Sequence, residues 1–258
     1  MVKEIMSKGI DVSYANGKID WAKMKGKIDW AILRIGYGGD YIEQDDTQWL
    51  NNIKGCEENG IPYGVYLYSY ATNVEKAKSE VAHVVRLLKG HKPTMPVFYD
   101  LEEERIKSLG KSKILEIAKT FCEGITKAGY LYGTYANKNW FTSYLTDKWY
   151  NEYPKWIAQY NKEVTYTGTY DIWQYSCIGT FSDHNCKFDM NYCYTSFLPG
   201  DVNLDGKINA ADARLALRAS AKLAKLNKTQ NWNADINKDG KVTATDARAI
   251  LRLSAKLK

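Results

Sequence analysis

The chain has 258 residues, enough for one large domain and a small one. Apolar residues make up 45% of it and charged residues 26%, a globular composition, and no apolar run approaches the roughly 18 residues that a membrane-spanning helix needs. The net charge of +6 is unevenly spread: residues 1–200 carry 24 basic and 24 acidic groups, residues 201–258 carry 12 and 6, and no long basic run interleaves with aromatics, which argues against nucleic acid.

The opening Met1-Val-Lys-Glu-Ile-Met-Ser-Lys8 lacks the apolar core of a secretion signal, so the chain reads as cytosolic or as already processed. Strand-like runs follow Gly9-Ile-Asp-Val-Ser13 at Trp30–Tyr37, Pro62–Tyr70, Met95–Glu102, Tyr130–Tyr135, Lys155–Tyr160, Tyr170–Tyr175 and Phe188–Tyr192. Helix-like stretches fall near 45–59, 74–89 and 111–128. The alternation predicts a mainly parallel sheet, and about eight strands before residue 200 predict a small β/α barrel. Cys56 and Cys122 lie in helix-like stretches and read as buried thiols, whereas Cys177 and Cys186 flank a loop that a disulfide could close. The tyrosines and tryptophans, nearly all before residue 200, suit core burial and sugar stacking equally.

In a parallel barrel, chemistry gathers where strands end. Asp11, the pair Asp100 and Glu102, and Asp189 stand at such places. Side chains two apart on a strand point the same way, so Asp100 and Glu102 should enter one cavity while Leu101 faces the helices. Two close carboxyls raise one another's proton affinity, leaving a donor beside an anion, as glycoside hydrolysis requires. Asp20, Asp29 and Asp171 lack this setting and read as surface or turn residues.

The last segment is a repeat with an offset of 34 residues: Asp201-Val-Asn-Leu-Asp-Gly-Lys-Ile-Asn-Ala-Ala-Asp212 recurs as Asp235-Ile-Asn-Lys-Asp-Gly-Lys-Val-Thr-Ala-Thr-Asp246, each copy running into a helix-like tail. Leu198-Pro-Gly200 marks the join, giving expected domains of 1–198 and 199–258. Each copy fits a calcium loop. Asp201, Asn203, Asp205, the Lys207 carbonyl, Asn209 and Asp212 are the oxygen donors of the first. Asp235, Asn237, Asp239, the Lys241 carbonyl, Thr243 and Asp246 are those of the second. Gly206 and Gly240 take the sharp turn. Every acid after residue 200 falls at the first, fifth or twelfth loop position. The helix that normally precedes such a loop is absent or very short.

Six motifs in order, Gly9-Ile-Asp-Val-Ser-Tyr-Ala-Asn-Gly-Lys-Ile-Asp-Trp21, Gly64-Val-Tyr-Leu-Tyr-Ser-Tyr-Ala71, Phe98-Tyr-Asp-Leu-Glu102, Trp156-Ile-Ala-Gln-Tyr160, Trp173-Gln-Tyr-Ser176 and Phe188-Asp-Met-Asn191, resemble glycoside hydrolase family 25, the lysozyme-type muramidases. Asn16 departs from the glutamine frequent at its position. The resemblance implies an irregular, flattened β/α (TIM-like) barrel that cuts the β-1,4 bond between N-acetylmuramic acid and N-acetylglucosamine, with no cofactor in catalysis. It makes Glu102 the general acid and Asp100 the stabiliser of developing positive charge through the substrate acetamido group, with retention of configuration. Asp11 and Asp189 complete the acidic floor. Tyr37, Tyr68, Tyr135, Trp156 and Gln174 are candidates for the sugar groove.

The repeat is similar to dockerin domains, small all-α calcium-binding modules of two loop-helix motifs that plug into cohesin modules on scaffolding proteins. That likeness implies two bound calcium ions and a partner face of Ala210, Ala211, Leu217, Arg218 and Lys222 in one copy and Ala244, Thr245, Leu251, Arg252 and Lys256 in the other. Ala-Ala and Ala-Thr replace a frequent Ser-Thr pair, and the basic helix faces call for an acidic partner. The expectation is a secreted or scaffold-bound peptidoglycan hydrolase. The competing expectation is a glycan-binding component that does not cut. A chitinase is disfavoured, because no Asp-x-x-Asp-x-Asp-x-Glu motif occurs.

Overall fold

The computed structural model describes residues 3–256, which divide into one unit running through Tyr194 and another from Thr195. The division falls four residues before the expected join at Pro199, and residues 1, 2, 257 and 258 of the expected domains lie outside the described residues.

In the first unit, β1 (Ser7–Val12), β2 (Trp30–Tyr37), β3 (Tyr63–Tyr68), β4 (Val97–Asp100), β5 (Tyr132–Asn137), β6 (Lys155–Ala158), β7 (Ile172–Gly179) and β8 (Phe188–Cys193) close into a barrel in chain order. Neighbours pair in parallel except β8, which runs antiparallel to both β7 and β1. Residues 180–187 alone join β7 to β8. That is a hairpin length, whereas a parallel crossover needs about a dozen residues or more. The mainly parallel expectation thus holds for seven strands and fails at the last for a countable reason.

The connections hold α1 (Trp21–Met24), α2 (Trp49–Asn59), α3 (Val74–Leu87), α4 (Glu104–Lys107), α5 (Gly110–Lys127) and α6 (Lys138–Ser143). Local chemistry sets their ends. Asn73 caps α3 by accepting from the Lys76 amide at 2.9 Å, and α2 stops where Gly60 turns left-handed at φ 66°. On α5, Ile114, Ile117, Ala118, Phe121, Cys122 and Ile125 recur every three or four residues and are buried. They meet the outward side chains of the strands; the Tyr99 ring stacks on Phe121 with centroids 3.9 Å apart.

The inside of the barrel is filled too. The rings of Phe98 and Trp156 lie 5.3 Å apart and those of Tyr66 and Trp156 5.9 Å apart, although β6 is a neighbour of neither β4 nor β3, so these side chains meet across the interior. Two glycines make room. A Cβ on Gly9 would sit 2.3 Å from the Trp30 ring, and one on Gly133 would sit 2.5 Å from the Phe98 ring. The buried face of α3 departs from an apolar stripe: beside Ala77 and Val84 it buries Glu80 and His83. His83 donates from Nδ1 to the Gly38 carbonyl at 3.1 Å and lies 2.8 Å from Asp45, so it pins the segment after β2.

In the second unit, α7 (Ala210–Ser220) and α9 (Ala244–Ser254) follow the two loops, and the seven-residue α8 (Lys228–Ala234) precedes the second loop. Ala213, Ala216, Ala247 and Ile250 pack with Val202, Leu226 and Ala234 into a small core. The twelfth loop residue closes a capping box at each helix start, Asn209 with Asp212 and Thr243 with Asp246.

Candidate active site

Asp11 lies near the end of β1, Asp100 ends β4, and Glu102 follows two residues later. Asp189 is the second residue of β8. Because β8 runs backwards, its start meets the mouth where the parallel strands end, and Asp189 pairs directly with Asp11 across the ladder. All four acids line one cavity of about 330 Å³. Tyr68, Tyr135, Trp156 and Gln174 line it as well.

Tyr37 is not among the lining residues, which corrects its place in the expected sugar groove. Its ring packs edge-on to Tyr70 at 5.8 Å and lies 5.3 Å from the Arg34 guanidinium, so it supports the wall from behind. Sequence reasoning missed Arg34, Tyr66, Tyr70 and Tyr160 as lining residues. A signal existed for each of them. Tyr66 and Tyr70 share the parity of Tyr68, and Arg34 is the one charge inside the apolar run Trp30–Tyr37. Tyr160 shares the parity of Trp156 in the run Lys155–Tyr160 and so offered the same signal.

A chain of side-chain hydrogen bonds fixes the floor. Gln174 and Asn191 both donate to Oδ2 of Asp11, at 2.8 and 2.7 Å. Trp156 Nε1 donates to Asn191 Oδ1 at 2.7 Å, and the hydroxyls of Tyr135 and Tyr160 each donate to Gln174 Oε1 at 3.0 Å. Burial, then the charge of Asp189, pushes Asp11 up to about 8 against the pull of the two amides. Burial lifts Asp189 to about 6. Glu102 is raised by burial and, less, by Asp189, while a hydrogen bond with Asn137 opposes the rise.

Asp100 is raised well above the carboxylate range, first by burial and then by the charge of Glu102, with Arg34 opposing. Its Oδ1 is buried and has no hydrogen-bond partner. Burial therefore raises the proton affinity of both members of the expected pair. Asp100 is 3% exposed and Glu102 only half-buried. A donor brought to Oδ1 of Asp100 would favour its charged form.

Asp20, Asp29 and Asp171 have structural tasks. Asp20 caps α1, Asp29 accepts from the Lys8 amide at 2.7 Å, and Asp171, half-buried instead of exposed, accepts from the Lys155 amide at 2.9 Å. Among the described residues no disulfide joins Cys177 to Cys186.

In the duplicated loops the acids turn toward backbone N–H groups. Asp201 accepts from Asp205 and Gly206, Asp205 from Lys207, and Asp212 from Val202, Asn203 and Asn209. The second copy repeats this with Asp235, Asp239 and Asp246. Asn203 and Asn237 donate to Asp205 and Asp239. Gly206 and Gly240 sit at φ 83° and 86°, in the left-handed region that favours glycine. The side chains of Asn209 and Thr243 accept from the amides of Ala211 and Thr245 and so also serve as helix caps. Among the described residues no group of three or more acidic, histidine or cysteine side chains converges as a metal cluster. The donor chemistry nevertheless fits calcium: three carboxylates, an asparagine and a lysine carbonyl in twelve residues are hard oxygens on one short loop. Asp212 also raises the proton affinity of the buried Asp201, a repulsion that a cation would relieve.

Of the expected partner face, Ala210, Leu217, Arg218, Lys222, Ala244, Thr245, Leu251, Arg252 and Lys256 are exposed and Ala211 is half-buried.

The model of glycosyl hydrolases family 25 matches residues 10–184, and that of the dockerin type I domain matches residues 199–253. No curated protein matches the chain. Among solved structures, the modular autolysin LytC from Streptococcus pneumoniae, in complex with a synthetic peptidoglycan ligand, is similar at 27% identity and TM-score 0.64 over 73% of this chain and 46% of that one. The chain thus spans less than half the length of that autolysin. Two further likenesses show the fold: the catalytic domain of endolysin ply40 from bacteriophage P40 of Listeria monocytogenes, at 22% identity and TM-score 0.63 over 74% and 95% of the two chains, and a family 25 glycosyl hydrolase from Bacillus anthracis, at 18% and 0.61 over 75% and 90%. With its family model matching more than half of its length across the acid-lined barrel, the chain belongs to glycosyl hydrolases family 25.

Proposed function

We propose that the barrel hydrolyses the β-1,4 bond between N-acetylmuramic acid and N-acetylglucosamine in peptidoglycan. The observation that carries this reading is the pairing, in one cavity, of a raised Glu102 with a buried Asp100 whose Oδ1 has no partner. The N–H of a 2-acetamido group is the donor that oxygen lacks. Held there, the acetamido carbonyl oxygen attacks the anomeric carbon as Glu102 gives its proton to the leaving oxygen. An oxazolinium ion forms as the glycosidic bond breaks, its N–H still donating to Asp100. Glu102, now a carboxylate, takes a proton from water as that water attacks the anomeric carbon and opens the ring to the neutral acetamide, so configuration is retained. The N–H donor and Arg34 favour the ionised form of Asp100, which stabilises the positive intermediate. Asp11 and Asp189 set the depth of the acidic floor, and Tyr68, Tyr135, Trp156 and Gln174 hold the sugar.

Glu102→Gln should lower release of reducing ends from bacterial walls about a thousandfold with binding of glycan fragments retained. An unimpaired variant would refute the assignment. Binding by the unaltered protein without any release would make the barrel a glycan-holding component.

The second unit, by the same proposal, binds two calcium ions through Asp201, Asn203, Asp205, Lys207 and Asp212 and through Asp235, Asn237, Asp239, Lys241 and Asp246, and then docks to an acidic cohesin through its exposed basic helix faces. Bound calcium would neutralise the crowded carboxylates of each loop. Peptidoglycan and abundant calcium both lie outside the cytoplasm, which supports a secreted or surface-scaffold location. Titration of the purified chain with cohesin, with and without a chelator, tests this; binding that ignores the chelator would overturn it.

A further inference from the structure

Glu80 is a carboxylate where a leucine would be at home. It sits on the buried stripe of α3 between Ala77 and Val84, 1% exposed, and it is not among the residues lining the cavity. Its two oxygens take up donors from the ends of two adjacent strands. Oε1 accepts from the Tyr70 amide at 2.7 Å, and Oε2 accepts from the Ser69 hydroxyl at 2.9 Å and from the Tyr99 hydroxyl. Ser69 is itself 2.9 Å from the Tyr99 hydroxyl, and its Oγ accepts from the Ala71 amide at 3.2 Å. The Ser69 amide donates to the Asp100 carbonyl at 3.0 Å. Every tie reaches a backbone or side chain next to a cavity residue: Tyr70 on one strand end, Asp100 beside Tyr99 on the other. An unpaired carboxylate at this depth would be strongly destabilising, and this one is matched by three donors aimed from the strand ends.

We propose that Glu80 is a positioning residue for hydrolysis, a brace behind the barrel wall that sets Asp100 and Tyr70 by clamping the ends of β3 and β4 together. The proposal rests on the muramidase reading for its kinetic effect, but not for the clamp itself. Tyr99 is suited to the task, since burial and the charge of Glu80 keep its phenol protonated and donating.

The test uses the full chain. Glu80→Gln keeps an acceptor for the Tyr70 amide and offers its NH2 to hydroxyls that can rotate, so it should keep at least about a third of kcat. Glu80→Leu fills the space without acceptors. Measured well below its melting temperature, it should lower kcat on wall fragments about tenfold to a hundredfold with KM changed far less. Tyr99→Phe removes one hydroxyl and no volume, should lower kcat about threefold, and should add nothing further in the Glu80→Leu background, as one coupled unit requires. Should Glu80→Leu not fold, Tyr99→Phe alone decides: a kcat equal to that of the unaltered chain overturns the brace. Folded Glu80→Leu with unchanged kcat overturns it too. If the unaltered chain releases no reducing ends, the muramidase reading fails, and amide exchange over residues 68–71 decides the clamp. Exchange about tenfold faster in Glu80→Leu but not in Glu80→Gln supports it, and equal exchange in all three refutes it.

Discussion

Both units are built around clustered carboxylates, but opposite solutions hold them. In the barrel the acids are sunk in a cavity, share few donors and hold protons well: Asp11 rises to about 8 and Asp189 to about 6. In the repeat, each acid is ringed by successive backbone N–H groups of its own loop, and Asp246 is pulled below the usual carboxylate range by such bonds despite its burial. The first arrangement holds protons; the second lines its acids with amides and, at Asp246, holds negative charge. A proton store serves acid catalysis, and a charge store serves a divalent ion.

The contrast can be broken by experiment. Withdrawing calcium from two loops loaded about a hundredfold above their Kd should cost about 5 kcal/mol, all of it in the second unit's melting transition. A fall in the barrel transition of equal size would contradict the division of labour. Phe98→Ala should do the reverse, removing about 4 kcal/mol from the barrel through the cavity left against Trp156, with the repeat unmoved in the same calorimetric scan.

pH separates the two stores further. Asp11 and Asp189 hold protons in the folded barrel that the unfolded chain has already released. Their stabilising contribution is full below the ordinary carboxylate range and is lost as pH rises through about 6 to 8, so the barrel should lose roughly 5 kcal/mol between pH 5 and 8.5. Asp11→Asn should flatten that slope. Gln174 and Asn191 donate to the same oxygen of Asp11, so an amide can offer its oxygen to both and its NH2 to the facing Asp189. A slope unchanged in the variant would remove Asp11 from the proton store. The smallest effect belongs to Thr243→Ala, about 1 kcal/mol for a lost helix cap, again confined to the repeat.

Much of this was legible in the residues because it follows from period and spacing. The parity of Asp100 and Glu102 placed both in one cavity, and the 34-residue offset laid out the two loops. What stayed hidden depended on neighbours distant in sequence. The reversed β8 brings Asp189 to the mouth by its start instead of its end, although the short 180–187 connection could have announced the hairpin. Tyr37 was misplaced because its setting depends on a register shift between Arg34 and Gly36 that the apolar run does not announce. Glu80 lies in the helix-like stretch 74–89, and its donors, Ser69, Tyr70 and Tyr99, come from outside that stretch. Asn209 and Thr243 showed oxygen at the right loop position, and the same oxygen also caps the helix that follows.

The aromatic packing beneath the carboxylates has one more consequence. With Phe98, Trp156 and Tyr66 meeting across the barrel, the recess is a dish with a floor rather than a passage. A polymer cannot be threaded through such a shape. Whatever binds there enters and leaves by the same mouth.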